Sequence, residues 1–295
     1  MKKMSLDEKF DEHYKTKLVH PGNGCCPGCG GPIAWRMLLE GLDKNTVLYG
    51  GAPCANCDMG TINLPQFSFH FSFVGDGASG IAAAFKIKGR EDITVLSSAG
   101  DGGVGDISFG KVSACAERND NIIQLCIDNE AYMNTGIQKS GLTPYGAWTT
   151  TTPEGKKSKK KMIPMILAQH RIPYLATMSI AYPQDLIAKM KKAKETKGFK
   201  YLHLVMPCPT GWRFLESKTI EVARLAVQTW IWPLYEVEKG VLKITVKPKP
   251  MPVEEYLRLQ GRFRNLGKED VAEIQSFVDE DRDRLLERDG KNIWL

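Results

Sequence analysis

ITVLSSAGDGGVGDISFGKVSACAERNDNIIQLCIDNEAYMNTGIQ, residues 93–138, decides how the rest of the chain is read. Ile93 to Ala99 is an apolar run rich in β-branched residues, the pattern of a fully buried strand. It stops at Gly100-Asp101-Gly102-Gly103, a turn that lets the backbone come close to a ligand. From Asp106 to Arg118, the apolar positions Ile107, Phe109, Val112, Ala114, Cys115 and Ala116 suit a helix packed on a sheet. Ile122 to Ile127 is a second buried strand, closed by Asp128-Asn129. Strand, glycine turn, helix and strand make a βαβ unit. Ligands of such sheets sit at the carboxyl ends of the strands, where both polar groups fall.

Two cofactors compete for this turn. Gly100, Gly102 and Gly105 satisfy G-x-G-x-x-G, and Asp128 stands where a dinucleotide fold keeps its ribose-binding acid. Asp101 argues against NAD, because a carboxylate beside a bare pyrophosphate adds like-charge repulsion. A divalent cation between the two removes the conflict. Mg²⁺ takes about six oxygen ligands, commonly phosphate oxygens and one or two protein groups. Asp101 and the Asn129 side chain can supply two, and the Ala131 carbonyl can reach in from the loop beyond. Gly-Asp-Gly followed by Asn at the end of the next strand reads as a thiamine diphosphate site. Gly100, Gly102 and Gly103 would approach the diphosphate. Asn134 is expected at the reacting centre, with Thr135 and Gln138 facing the cofactor or capping their own loop.

Outward from this unit, Ile33–Leu42 is expected as a helix and Thr46–Tyr49 as a strand. Phe67–Phe73 alternates aromatic and polar residues, and Gly75–Gly80 turns into a helix at Ile81–Lys86. Lys139–Lys161 is a long loop without periodicity, a length that usually signals function or disorder. Its Thr149–Thr152 run is a candidate wall of the site. Ile163–Gln169, Tyr174–Met178, Pro183–Lys194 and Tyr201–Met206 read as helix, strand, helix, strand, followed by a helix at Thr219–Gln228. The alternation predicts an α/β, doubly wound, mostly parallel sheet. KPKPMP, from Lys247, marks a linker, dividing a binding domain over 1–246 from a helical carboxyl-terminal arm over 247–295. Val253–Leu259 and Lys268–Leu286 in that arm carry too little apolar surface to fold alone. Packing against another subunit is expected, with a surface hairpin on this chain as the alternative.

Composition narrows the class. The 295 residues can bury a sizeable core, and the net charge is a modest +6. Much of that charge lies in Lys156–Lys161 and Lys189–Lys200, read as solvated loop and helix faces. No aromatic interleaving or recognition module suggests nucleic acid. The amino terminus has no apolar signal region and no apolar run is long enough to span a membrane, so a cytoplasmic location is expected. His70, His170 and His203 have apolar neighbours and are expected to be structural.

Eight cysteines form a second constellation. In a cytoplasmic chain they are not expected to be disulfides. Cys115 and Cys126 fall in the core. Cys26-x₂-Cys29 with Cys54-x₂-Cys57 would make a zinc site of unusually wide separation. Cys26, Cys29, Cys54 and Cys208 would instead hold a [4Fe–4S] cluster. Spacing alone does not choose between these sets.

Gly100-Asp101-Gly102, Glu117-Arg118-Asn119, the run Asp128 through Gln138, and Thr143-Pro144 through Thr149-Thr150-Thr151 resemble the β subunit of the 2-oxoacid:ferredoxin oxidoreductases, most closely the pyruvate branch. The similarity extends from about His20 to about Trp232. The resemblance implies that Cys26, Cys29, Cys54 and Cys208, the last within Pro207-Cys208-Pro209-Thr210-Gly211-Trp212, hold the cluster. Cys25 and Cys57 are then spare thiols. It implies thiamine diphosphate, Mg²⁺ on Asp101, Asn129 and Ala131, and oxidative decarboxylation of a small 2-oxo acid such as pyruvate, with electrons passed to ferredoxin. It also implies partner subunits, one ferredoxin-like and one supplying the acid that activates the pyrimidine. The Pro53–Cys57 loop and Gly75-Asp76-Gly77-Ala78 depart from the pyruvate enzymes, which keeps oxalate oxidation without coenzyme A as an alternative. A zinc-containing NAD-binding oxidoreductase and a non-catalytic electron-transfer scaffold are the readings from other classes.

Overall fold

The computed structural model describes residues 18–51, 54 and 59–294. Most of the amino-terminal arm and most of the Pro53–Cys57 loop lie outside the described residues. Eight strands form one sheet, in the order β2-β1-β3-β4-β6-β5-β7-β8. They are β1 (Thr46–Gly51), β2 (Gln66–Phe69), β3 (Thr94–Gly100), β4 (Ile123–Asp128), β5 (Tyr174–Ser179), β6 (Lys200–Val205), β7 (Leu234–Glu238) and β8 (Val241–Val246). The first six run parallel, and β7 and β8 add an antiparallel edge. This edge hairpin was not expected from the sequence.

The helices are α1 (Gly31–Glu40), α2 (Asp76–Ile87), α3 (Phe109–Glu117), α4 (Ile163–Ala168), α5 (Pro183–Glu195), α6 (Pro209–Trp212), α7 (Thr219–Gln228), α8 (Glu254–Leu257) and α9 (Lys268–Arg288). Every residue of β4, β5 and β6 is buried, which is why these strands read as continuous apolar runs. Along β4 the side chains alternate between two cores. Ile122 and Cys126 pack with α2, α3 and α4 on one face. Ile123, Leu125 and Ile127 pack with Trp35 and Leu38 of α1 and with Leu186 and Met190 of α5 on the other. The doubly wound expectation holds.

The carboxyl-terminal arm does not wait for another subunit. Val253, Tyr256, Leu257, Phe263 and Ile274 are buried with Trp212, Val222 and Ala226 in a third core. Leu285 of α9 joins the first. Several short apolar contacts spread along the arm accomplish what no single amphipathic face could.

The lysines correct a second expectation. Lys156, Lys189 and Lys200 are buried. Lys189 Nζ donates to the Thr177 carbonyl at 2.9 Å and pairs with Asp185 at 2.6 Å. A charged residue can line an interior when its head group finds fixed oxygens, and composition alone does not reveal those.

Strand order positions the site. β1, β3, β4 and β6 are neighbours, and the chain reverses direction across the sheet on either side of β3 and β4. Their carboxyl ends carry, in order, the Cys54 loop, Gly100-Asp101-Gly102, Asp128-Asn129 and Cys208. Crevices form where strand order reverses.

Candidate cofactor site

At the end of β3 the backbone turns directly into helix at Asp101, widens through a π turn at Gly103–Ile107, and continues as α3. Such wide turns are frequent at functional sites. The close approach explains one glycine: a Cβ on Gly102 would collide with the Tyr132 ring. Gly103 lies beneath Phe71, Ala99 and Val74, off the open face of the turn.

Asp101 is buried, and its Oδ2 accepts a hydrogen bond from Ser140 Oγ. Burial, and then the negative charge of Asp128, push its carboxyl well above the ordinary range. The Asn129 amide points one end at two oxygens together, Asp101 Oδ1 at 3.1 Å and the Ala131 carbonyl at 2.8 Å. With nitrogen there, it donates to both. With oxygen there, three oxygens face one another with no proton between them.

A small cleft opens over this group. Its walls are Cys54, Phe71, Gly100, Asp101, Gly102, Asn129, Ala131, Tyr132, Met133, Asn134 and Thr135. Eight sequence-derived candidates therefore meet at one place. Gln138 does not line the cleft. Its side chain bonds Thr135 Oγ1 at 2.6 Å and the Thr135 carbonyl at 2.9 Å, capping the loop. Thr149 and Thr152 bond each other at 2.7 Å, outside the cleft.

Asp128 is not free to hold a ribose. Its Oδ1 accepts from the Glu130 amide at 2.9 Å. Its Oδ2 takes Lys160 Nζ at 2.7 Å and His203 Nε2 at 2.9 Å. Burial alone would raise its pKa, but the Lys160 charge and the His203 hydrogen bond outweigh that and hold it below the usual range. The acid that a dinucleotide would need is consumed internally. His203 is structural, as expected, and His170 bonds Ser113 at 2.8 Å.

Loop 139–161 closes over the back of the site. Asp106 Oδ2 accepts from the Gly141 amide at 2.7 Å, and Lys161 pairs with Asp106 Oδ1 at 3.0 Å. Thr143 Oγ1 donates to the Glu130 carbonyl at 2.6 Å. Ser140 and Lys160 carry no motif that marks them, and only the length of their loop hinted at a role, whereas Thr143 opened a quoted motif without its partner being legible. Trp212 was inside a quoted motif, but nothing local revealed that its Nε1 donates to the Asn129 carbonyl at 2.7 Å.

The thiols stand on the same edge. Cys26, Cys29, Cys54 and Cys208 are thiols, as are the buried Cys115 and Cys126. Burial pushes the Cys54 thiol up to about 11, and repulsion from Cys208, Cys29 and Cys26 adds to it, so the four are electrostatic neighbours. Cys208 caps α6, its Sγ accepting from the Gly211 amide at 3.3 Å. Cys25 is disulfide-bonded, which corrects both the expectation that the cysteines form no disulfide and the reading of Cys25 as a spare thiol. Cys57 lies outside the described residues. Among the described residues, no three His, Cys, Asp or Glu side chains converge closely enough to hold one metal ion. Asp76, singled out for departing from the pyruvate pattern, begins α2 and pairs with Lys111 at 3.1 Å.

Among the described residues no helix is long and apolar enough to cross a membrane. Residues 62–204 match the thiamine pyrophosphate enzyme family, C-terminal TPP binding domain. The chain is 48% identical over 278 residues to the pyruvate synthase subunit PorB of Methanothermobacter thermautotrophicus, covering 90% of this chain and 96% of that one. It is 45% identical over 295 residues to the ketoisovalerate oxidoreductase subunit VorB of Pyrococcus furiosus, covering 94% and 93%. A solved 2-oxoglutarate:ferredoxin oxidoreductase from Magnetococcus marinus shares the fold, with a TM-score of 0.60 at 20% identity over 70% of this chain and 79% of that one. With its buried Gly-Asp-Gly turn and relatives of this similarity along nearly its whole length, the chain belongs to the β subunits of the 2-oxoacid:ferredoxin oxidoreductases.

Proposed function

We propose that this subunit holds thiamine diphosphate through Mg²⁺, together with a [4Fe–4S] cluster, and oxidatively decarboxylates a small 2-oxo acid such as pyruvate, with electrons leaving to ferredoxin. The observation that carries the reading is that one end of the Asn129 amide stands 3.1 Å from Asp101 Oδ1 and 2.8 Å from the Ala131 carbonyl, at the base of a cleft that Cys54 also lines. Adjacent ligands of an Mg²⁺ octahedron stand about 3.0 Å apart when each bond is about 2.1 Å. With its oxygen at that end, Asn129 stands at such a spacing from each of the other two oxygens, and the charge of an ion there would offset the cost of burying an ionised Asp101.

Asp101, Asn129 and Ala131 would hold the ion. Gly100 and Gly102 would leave room for the diphosphate at the amino end of the helix that starts at Asp101, where unpaired N–H groups favour anions. Gly103 contributes backbone alone, since its Cα is packed beneath Phe71. When bound, thiamine diphosphate supplies the carbon nucleophile and the electron sink that decarboxylation of a 2-oxo acid requires. Asn134 and Thr135 line the cleft beside it and would orient the substrate, while Gln138 holds their loop in shape.

Cys26, Cys29, Cys54 and Cys208 would ligate the cluster. Four thiolates around an iron–sulfur cube stand farther apart than four around a single zinc ion with Zn–S bonds near 2.3 Å. The nearness of Cys54 to Cys208, Cys29 and Cys26 supports a shared cluster. Residues 1–246 then carry both cofactors and 247–295 the arm. The partners are the pyrimidine-activating subunit, a ferredoxin-like subunit and ferredoxin, in the cytoplasm. PorB and VorB are named for acids of different bulk, so pyruvate and 2-ketoisovalerate are the first substrates to compare. The Asp76–Lys111 pair accounts for one of the two departures that suggested oxalate, and oxalate becomes a control.

The test uses the intact complex. Analysis should find thiamine diphosphate, iron and acid-labile sulfide, and viologen reduction should follow a 2-oxo acid in the presence of coenzyme A. A colourless complex without any thiamine compound would end this reading, and turnover of oxalate alone would redirect it.

A further inference from the structure

Glu130 follows Asn129 and occupies the left-handed region, with φ at 66°. A bulky residue pays for that conformation only where its surroundings hold it there. Several polar groups of this turn are held. The Glu130 amide donates to Asp128 Oδ1 at 2.9 Å, and its carbonyl accepts from Thr143 Oγ1 at 2.6 Å. The Asn129 carbonyl accepts from Trp212 Nε1 at 2.7 Å. The Glu130 carboxylate takes Lys160 on Oε1 and Arg262 on Oε2, each at 2.7 Å.

Arg262 comes from the carboxyl-terminal arm. It is 2% exposed and Glu130 is 3% exposed, so the pair is unscreened. Its guanidinium lies 3.8 Å from the centroid of the Trp212 ring. Its Nε donates to Gln260 Oε1 at 2.9 Å and its Nη2 to the Tyr256 hydroxyl at 3.2 Å. The arm therefore presents an oriented cation and not a wandering one. Trp212 closes the same short helix that Cys208 opens.

We infer that Arg262 is a positioning residue for the cofactor site: through Glu130 and Trp212 it fixes the left-handed turn that aims the Asn129 side chain and the Ala131 carbonyl at the same point. Lys160 alone would have to serve Asp128 and Glu130 together. Without Arg262, Glu130 keeps a buried charge with half its compensation, and the cheapest relief is to turn outward, carrying Asn129 and Ala131 off their common target. The arm is thus part of the cofactor site, although none of its residues lines the cleft. This role presupposes the Mg²⁺–diphosphate reading of the cleft.

The experiment measures Mg²⁺-dependent thiamine diphosphate binding to the assembled complex by titration calorimetry, well below the unfolding temperature, with iron content as a second readout. Wild type must bind first; if it does not, the reading of the cleft fails and not the role of Arg262. Arg262→Gln should weaken binding about 10–100-fold, the usual effect of removing a partner that orients metal ligands. Adding Glu130→Gln should recover most of that loss, because the stranded charge is gone. Trp212→Phe, which removes the N–H and keeps an aromatic ring, should weaken binding in the same direction with a smaller effect. A merely structural Arg262 would lower the unfolding temperature and leave affinity and its rescue by Glu130→Gln untouched. Normal affinity in Arg262→Gln would overturn the inference. Should that variant fail to assemble, normal affinity in both Trp212→Phe and Arg262→Lys would overturn it equally.

Discussion

The two halves of the site sit on one edge of one sheet and are held in opposite ways. Around Asp101 and Asn129, each carboxylate has a named partner: Ser140 for Asp101, Lys160 and His203 for Asp128, Lys160 and Arg262 for Glu130. Around the cysteines, Cys26 is exposed, Cys29, Cys54 and Cys208 are half-buried, and burial raises Cys54 and Cys208 instead of a cation lowering them. A thiol ligates as the thiolate, so among the described residues burial works against ligation at Cys54 and Cys208. The contrast teaches that the fold organises the carboxylate half through paired charges, whereas the cysteine half, on the proposed reading, would be organised by the cluster it binds.

The sharpest way to break that contrast is Asp101→Asn. It should weaken Mg²⁺-dependent thiamine diphosphate binding by at least about 100-fold, beyond the 10–100-fold of an outer-sphere change. The visible absorbance assigned to the cluster should survive, and titration calorimetry beside absorbance reads both. Cys208→Ala is the reciprocal: iron analysis should show loss of the cluster, with thiamine diphosphate still bound. Loss of both cofactors in either variant would mean the halves are not independent. Lys160→Met tests how the organised half is held. Removing one partner from a buried ion pair costs about 3–5 kcal/mol, and here two carboxylates lose it, so denaturant unfolding should show a loss of that order.

A pH-dependent effect lies at the other end of the sheet. Lys200 begins β6, is buried, and has the Asn121 side-chain oxygen at 2.9 Å with no acid beside it. Burial first, and then the charge of Lys197, lower its amine to about 7. Its folded pKa lies below its unfolded value, so the unfolded chain binds the extra proton between about pH 7 and pH 10.5. Stability from this group therefore rises with pH through that window. Lys200→Met should be more stable than wild type at pH 7, with the gap closing towards pH 10.5, as thermal unfolding would record. A gap that widens with pH would reverse the sign.

Much of the scaffold was legible because it rests on local rules. β3, β4, β5 and β6 declared themselves as apolar runs, the Gly-Asp-Gly turn by its punctuation, and the helices by their spacing. The β7–β8 hairpin was missed although its signal is local: Lys239-Gly240, both with positive φ, make a two-residue turn between the strands. Cys26, Cys29, Cys54 and Cys208 could be grouped by their glycine and proline surroundings, but spacing could not separate them from a zinc set.

By itself the sequence determined the βαβ unit, the residues at its strand ends and the chemistry those residue types can do, because a turn or a buried strand is written in consecutive positions. Only the tertiary structure decided that Asp128 is spent inside the protein, that Lys156 and Lys200 are interior, and that the arm reaches Glu130 through Arg262. The physical reason is that a buried charge is defined by its partner. Glu130 and Arg262 are brought together by packing in the third core, not by any pattern along the chain.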